Sequence, residues 1–233
     1  MNEQEAKELI DKIIGQVFGF QNPLTLEQAM QKFAFDIRLP QQVVDSSTGQ
    51  ATWAQSTSPT RFISFENALN KPQDAYVRSA RQLNSIEDIL GAWSEINEMT
   101  TERYLDSINI AQSDNIYSSE NVFRSQDIRG SKNVIFCDGL AQGGCEFVLA
   151  CQRSSNLSFC IRVEDSSQCS NSFNVQWCKN IVNSMFISDA QNMQDSLFCS
   201  HITNKRFMVA NMQFDETEYR RLRDIVARWI LTA

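Results

Sequence analysis

Between residues 110 and 140 aliphatic side chains return every six residues: Ile110, Ile116, Val122, Ile128, Val134 and Leu140. Neither a 3.6-residue helix nor a two-residue strand generates that period. The series slips by one residue near Gly143-Gly144 and resumes at Cys145, Cys151, Leu157, Val163, Cys169, Val175, Ile181, Ile187, Met193 and Cys199. Three residues after nearly every member stands a small residue, such as Ser113, Ser119, Ser125 and Ser131 early, or Ser166, Ser172, Ser184 and Ser196 late. The unit reads apolar-x-x-small-x-x, and the slip reads as a one-residue deletion absorbed by a tighter turn or bulge at the paired glycines.

The hexads pair into twelves. Asn121, Asn133, Asn156, Gln168, Asn180, Asn192 and Asn204 close successive blocks. A second column, Leu149, Ile161, Phe173, Met185, Leu197 and Val209, is apolar, while Ser155, Ser167, Lys179, Gln191 and Thr203 hold the equivalent place in the intervening hexads. Fixed-period self-similarity of this kind belongs to a solenoid. Twelve residues are too few for a helical repeat and close a circuit of about 40 Å at about 3.3 Å per residue, so the repeat predicts a narrow, flattened β-solenoid. Its coils stack about 4.8 Å apart, so about eight of them make a rod of roughly 38 Å. The Asn column fits corners, where Asn tolerates left-handed geometry and its amide can bond to copies above and below. A coil of 18 or 24 residues is the alternative.

The flanks differ in texture. Residues 3–18 place Ala6, Ile10, Ile13, Ile14 and Val17 on one helical face, and Thr25-Leu-Glu-Gln28 reads as a capping box opening a helix through Phe33. Residues 43–65 predict a small hairpin about Thr48-Gly49. From Asp74 to about Leu105 the spacing of Ile86, Ile89, Leu90, Trp93 and Ile96 predicts a helix with a buried stripe. Asp215-Glu-Thr-Glu218 opens a last amphipathic helix carrying Tyr219, Leu222, Ile225, Val226 and Trp229. The expected architecture is α+β: a mainly helical N-terminal capping region over 1–108, a β-solenoid over 109–214 with about 12 residues per coil, and a C-terminal capping helix over 215–233.

Residues 178–219, from Cys178 through Asn204, Lys205, Phe207, Asn211, Phe214, Glu218 and Tyr219, resemble the uncharacterised cysteine-rich hexapeptide-repeat proteins of candidate-phylum bacteria. That resemblance implies a β-solenoid and supplies no catalytic residues. Val, Ile, Met or Ser here occupies many positions where those relatives carry Cys.

Several functions fit the composition poorly. A net charge of −7 and pI near 4.8 argue against nucleic acid and anionic membranes. No apolar run reaches the length of a membrane span, and the N-terminus does not read as a signal, so the expected location is cytoplasmic, or within a virion or other assembly. The seven cysteines form no CxxC pair, and His201 is the single histidine, so no metal or cofactor is expected. Hexapeptide-repeat acyltransferases place small residues differently and need a histidine beside an extended loop, whereas His201 lies inside the regular repeat. No catalytic residue is assigned. The expected function is a non-enzymatic structural or scaffold protein acting through a protein partner or self-association, with Leu149, Ile161, Phe173, Met185, Leu197 and Val209 as the candidate interaction stripe. If that column points inward it widens the core. If it points outward, the N-terminal region, the last helix or a second copy must cover it. The alternatives are an acyltransferase-like enzyme and a metal-binding cysteine-rich repeat protein.

Overall fold

The computed structural model describes residues 1–232. Short parallel strands stack from Ile108 onward, and in all but one coil the pairing offset is twelve residues: Ile110 with Val122, Val122 with Val134, Val148 with Cys160, Cys160 with Ser172. One inward column runs Ile110, Val122, Val134, Val148, Cys160, Ser172, Ser184, Ser196 and Met208, which marks nine coils. The twelve-residue β-solenoid expected from the repeat is the fold.

The cross-section is four-sided. Almost every third residue of the repeat has positive φ, for example Asn109, Gln112, Asn115, Ser118 and Asn121. Each coil is thus four sides of three residues, roughly 10 Å each. The residue after each bend points into the tube, giving four inward side chains per coil. Among the described residues, 34 non-glycine residues have positive φ; 17 are Asn or Asp and none is β-branched, which is the selection left-handed geometry imposes. Asn ladders offset part of its cost: Asn109 donates to Asn121 at 2.8 Å, Asn121 to Asn133 at 2.9 Å, Asn180 to Asn192 at 2.8 Å and Asn192 to Asn204 at 2.9 Å.

Four inward side chains fit only if large and small residues alternate around the circuit. In the early coils Val122 and Ile128 face across from each other, and Ser125 and Ser131 fill the other two sides. The serines also complete the hydrogen bonding. Ser125 Oγ donates to the Phe123 carbonyl at 2.9 Å and accepts the Cys137 N–H at 3.0 Å; Ser113 Oγ does the same with Ala111 and Ser125. Each buried hydroxyl therefore satisfies a backbone donor of the next coil.

The slip at the glycines has a different origin from the one the spacing predicts. Lys132 pairs with Glu146 and Val134 with Val148, so this coil is two residues longer, at fourteen, and loses none. What changes is which sides are large. After this coil the apolar residues are Leu157, Val163, Val175, Ile181, Ile187 and Met193, stacked on the sides that Ser113, Ser125 and Ser131 occupied, while Ser154, Ser166, Ser172, Ser184 and Ser196 take the sides of the former aliphatics. Cysteine, intermediate in volume between Ser and Val, fills the crossover: Ser125, Cys137, Cys151, Val163 along one side and Val148, Cys160, Ser172 along another. Gly144 suits the turn there: its φ is +72°, and a Cβ would lie 2.4 Å from Asn156 Oδ1 and push that amide aside.

Helices α1 (Glu3–Phe18) and α2 (Leu26–Phe33) form where the sequence places them, the second behind its Thr25–Gln28 capping box. They do not sit over the first coil. Helix α1 lies along the flank, against strands Lys132–Ile135, Glu146–Leu149, Ser158–Glu164 and Ser170–Gln176. The first coil is met instead by the hairpin Gln41–Val44 and Ala51–Ala54, and by strand Arg61–Ser64, which pairs in parallel with Glu98–Thr101. Asp45 locks this small unit. Burial pushes its carboxyl upward, but hydrogen bonds from Ser47, Asn67 and Ser64 outweigh it and hold the group well below the usual carboxylate range.

Between strands Arg61–Ser64 and Glu98–Thr101 the chain makes an excursion containing α3 (Phe65–Leu69) and α4 (Ile86–Ser94). The helix expected over 74–105 is confined to α4, and its stripe is not buried. Residues 78–84 are irregular, because Asn84 and Ser85 cap α4 through Asp88 and start the helix late. Helix α5 (Glu216–Thr232) folds back along the same flank as α1. It buries Tyr219, Ala227, Ile230 and Leu231, and leaves Ile225 exposed. At the last coil Lys205 stacks on the inward Met193 and is itself exposed, so the pattern that would accept another coil ends in a charge.

Candidate interaction sites

The stripe Leu149, Ile161, Phe173, Met185, Leu197 and Val209 points out of the tube and belongs to an apolar cluster separate from the tube interior. Its earlier members are Phe123 and Ile135, paired in register with Leu149. Ile10, Ile13, Ile14, Val17 and Phe18 of α1 and Ile230 and Leu231 of α5 cover the stripe, so five of its members are buried and Val209 is partly so. Its partner is the chain's own helices, and it is no free surface.

Polar anchors fix that cover. The Arg162 guanidinium donates to both Asp36 carboxylate oxygens, at 2.8 and 2.7 Å, and to the Phe33 carbonyl at the end of α2 at 2.7 Å. The hydrogen bond from Arg162 holds the Asp36 carboxyl below its ordinary value. Arg223 of α5 donates to the Val17 and Phe18 carbonyls at the end of α1, satisfying groups a helix terminus leaves open. Tyr219 Oη donates to the Asn183 carbonyl at 3.1 Å. Arg162 and Arg223 escaped the sequence reading, since their partners lie over a hundred residues away.

The reactive side chains are disposed unfavourably for chemistry. All seven cysteines are buried free thiols. Burial pushes the Cys145 thiol up to about 11 and Cys169 to about 12, and raises Cys137 and Cys160 well above the ordinary thiol value, so the nucleophilic thiolate is suppressed at these four. Among the described residues no three His, Cys, Asp or Glu side chains converge to hold a metal ion. His201 stands on an outer bend, 77 % exposed, with Nδ1 2.8 Å from Asp189 Oδ2.

The most polar buried cluster lies at the first coil. Arg103 makes a two-pronged pair with the fully buried Asp114, through Nε at 3.0 Å and Nη2 at 2.9 Å, and reaches Gln55. Gln55 in turn donates to Asp127 at 2.7 Å. Burial raises the neighbouring Glu102 carboxyl, which accepts from Thr52 and Tyr104. These groups partner one another and join the hairpin to the solenoid.

The edge of the covered flank leaves Phe35, Phe198 and Trp229 exposed, and the excursion carries a further open apolar face. On α4, Ile86, Ile89, Leu90 and Trp93 are 59, 49, 52 and 53 % exposed. Val77 and Leu83 on the preceding segment are exposed too, and the two stretches bound a mainly apolar groove of about 590 Å³ lined by Tyr76, Leu83, Ile89, Ala92, Trp93 and Ile96. Arg78 and Arg81 stand on its rim. The groove is held to the body near the base of the excursion: Lys71 and Tyr76 bond Glu98, and Thr60 donates to the Ser94 carbonyl at 2.7 Å. The spacing of the α4 stripe was legible in the sequence; its exposure was not.

The fold defines the protein as a β-solenoid with two helices packed on one flank and an apolar arm near its first coil. No protein-family description, curated protein or solved structure matches the chain. No helix among the described residues is long and apolar enough to cross a membrane.

Proposed function

We propose that the protein is a non-enzymatic scaffold working through protein–protein contacts, as part of a larger assembly, and that the contact is made by the α4 arm. The single observation that carries this reading is the exposed apolar face of Ile86, Ile89, Leu90 and Trp93 beside its groove, on a molecule whose other large apolar stripe is already covered. A monomeric protein gains nothing from leaving four large side chains of one short helix in water. The solenoid supplies rigidity: its tube is filled, and buried Ser and Cys side chains hydrogen-bond one coil to the next. Its acidic surface favours protein over nucleic acid.

A photoreactive residue at Leu90 tests this. Discrete macromolecular cross-links that vanish with Ile89→Asp, while the same label at the exposed Asn192 gives none, are the expected result. Absence of cross-links from Leu90 in extracts of the source cells counts against the proposal. So does acyl-CoA turnover that disappears with His201→Ala, which would restore the transferase alternative.

A further inference from the structure

The arm carries more than an apolar face. Arg78 lines the groove and donates to the Ala75 and Val77 carbonyls; it makes no salt bridge among the described residues, although its charge acts on Glu95, the groove carboxylate that pairs with Arg81. Glu87, in the first turn of α4, makes no salt bridge or side-chain hydrogen bond among them. The same short segment therefore offers an apolar helix with an unpaired carboxylate at its N-terminal end. It also offers an apolar groove bordered by a guanidinium that makes no salt bridge among the described residues. Each is the chemical complement of the other. They cannot satisfy one another within one chain, because α4 itself forms one wall of the groove.

We propose that the occupant of the groove is the α4 of a second copy of this chain, so that the arm forms a two-fold symmetric dimer. In such a contact the Ile86–Ile89–Leu90–Trp93 face of each copy covers the groove of the other. Glu87 of each copy then meets Arg78 of its mate, and a symmetric pairing makes both contacts twice and closes. The apolar face supplies the affinity, while the charge pairs set the antiparallel register, as rim charges do at interfaces. A helix in a groove, with anchors at i, i+3, i+4 and i+7, is an established recognition geometry, and Ile86, Ile89, Leu90 and Trp93 have that spacing. The inference rests on the scaffold reading and specifies its first partner.

Sedimentation equilibrium of the purified chain, with no other protein present, separates the two. A concentration-dependent dimer is expected. Ile89→Asp should leave a monomer with unchanged circular dichroism. Arg78→Glu and Glu87→Arg should each weaken the dimer about tenfold or more, the effect of about 1.4 kcal/mol, and the double variant should recover most of the loss. A monomer throughout the micromolar range overturns the proposal, as does a dimer indifferent to Ile89→Asp. So does a double variant no better than the two single changes. A monomeric protein that still cross-links to another protein from Leu90 would sink the dimer and leave the scaffold reading standing.

Discussion

Helices α1 and α4 announce themselves in the sequence by the same signal, aliphatic residues at helical spacing, and in the structure both start behind a capping box. Their fates are opposite. Ile10, Ile13 and Ile14 of α1 are fully buried against the solenoid flank, whereas Ile86, Ile89 and Leu90 of α4 stand about half in water. The pattern specifies a helix and its sticky face, but not what meets that face. For α1 the partner is the outward column from Phe123 to Leu197, a flat apolar strip generated by the twelve-residue repeat. For α4 there is no such strip, because the excursion leaves and rejoins the body at two adjacent strands and lies beyond the repeat.

The largest expected effect puts a carboxylate where neither water nor a partner can reach it. Val175→Asp or Ile181→Asp in the tube, and Ile14→Asp under α1, should each cost more than about 4 kcal/mol and abolish a cooperative melt. If Ile14→Asp melts like the wild type, α1 is not the cover of the flank.

Next come changes to the inward serines, which sharpen the contrast between filling a tube and satisfying it. Ser125→Leu should cost about 1–3 kcal/mol through overpacking. Ser125→Ala removes only one oxygen, yet it should cost a similar 1–3 kcal/mol, since the buried Cys137 N–H loses its acceptor. A neutral Ser125→Ala in thermal denaturation would mean that volume alone selects the column.

Asp45→Asn should cost about 1–3 kcal/mol, because an amide cannot accept every hydrogen bond the carboxylate does. The folded-state value is depressed, so this stabilisation is present above the ordinary carboxylate range near 4 and is lost as the pH falls below it. Asp36 follows the same sign with a smaller amplitude, as it is partly exposed. Melts recorded from pH 7 to 3 should show the wild type approaching Asp45→Asn; a constant gap between them would contradict the assignment.

The smallest effect is the sharpest contrast with the first. Ile89→Asp, chemically the same change as Ile14→Asp, should alter folding stability by no more than about 0.5 kcal/mol under conditions where the chain is monomeric. A large loss would mean that the α4 face is packed against the body.

Thiol reactivity offers a check on the tube that needs no mutation. The seven cysteines should react with an aromatic disulfide reagent only after denaturation, because burial screens every sulfur and, at Cys137 and Cys160, also raises the thiol and keeps it protonated. Four or more reacting in native buffer would open the tube.

Much of this molecule was determined locally, and so could be read from residues alone. The six-residue aliphatic interval, the twelve-residue Asn column and the alternation of large with small are direct consequences of a narrow coil. Such a coil must bend often and can hold few side chains, and the Asn ladders and αL bends follow from it. The capping boxes of α1 and α2 are equally local. Other features were decided only by the tertiary structure. At Gly143-Gly144 the spacing of apolar residues suggested one residue lost, but register is a property of strand pairing, and the pairing adds two residues and moves the apolar residues to different sides of the tube. The stripe from Leu149 to Val209 could face either way by sequence, since inward and outward apolar residues are chemically identical, and α1 and α5 settled the matter by covering it. The exposure of α4 had no local signature either: burial depends on whether a second surface arrives, and a helix carries no record of one that does not.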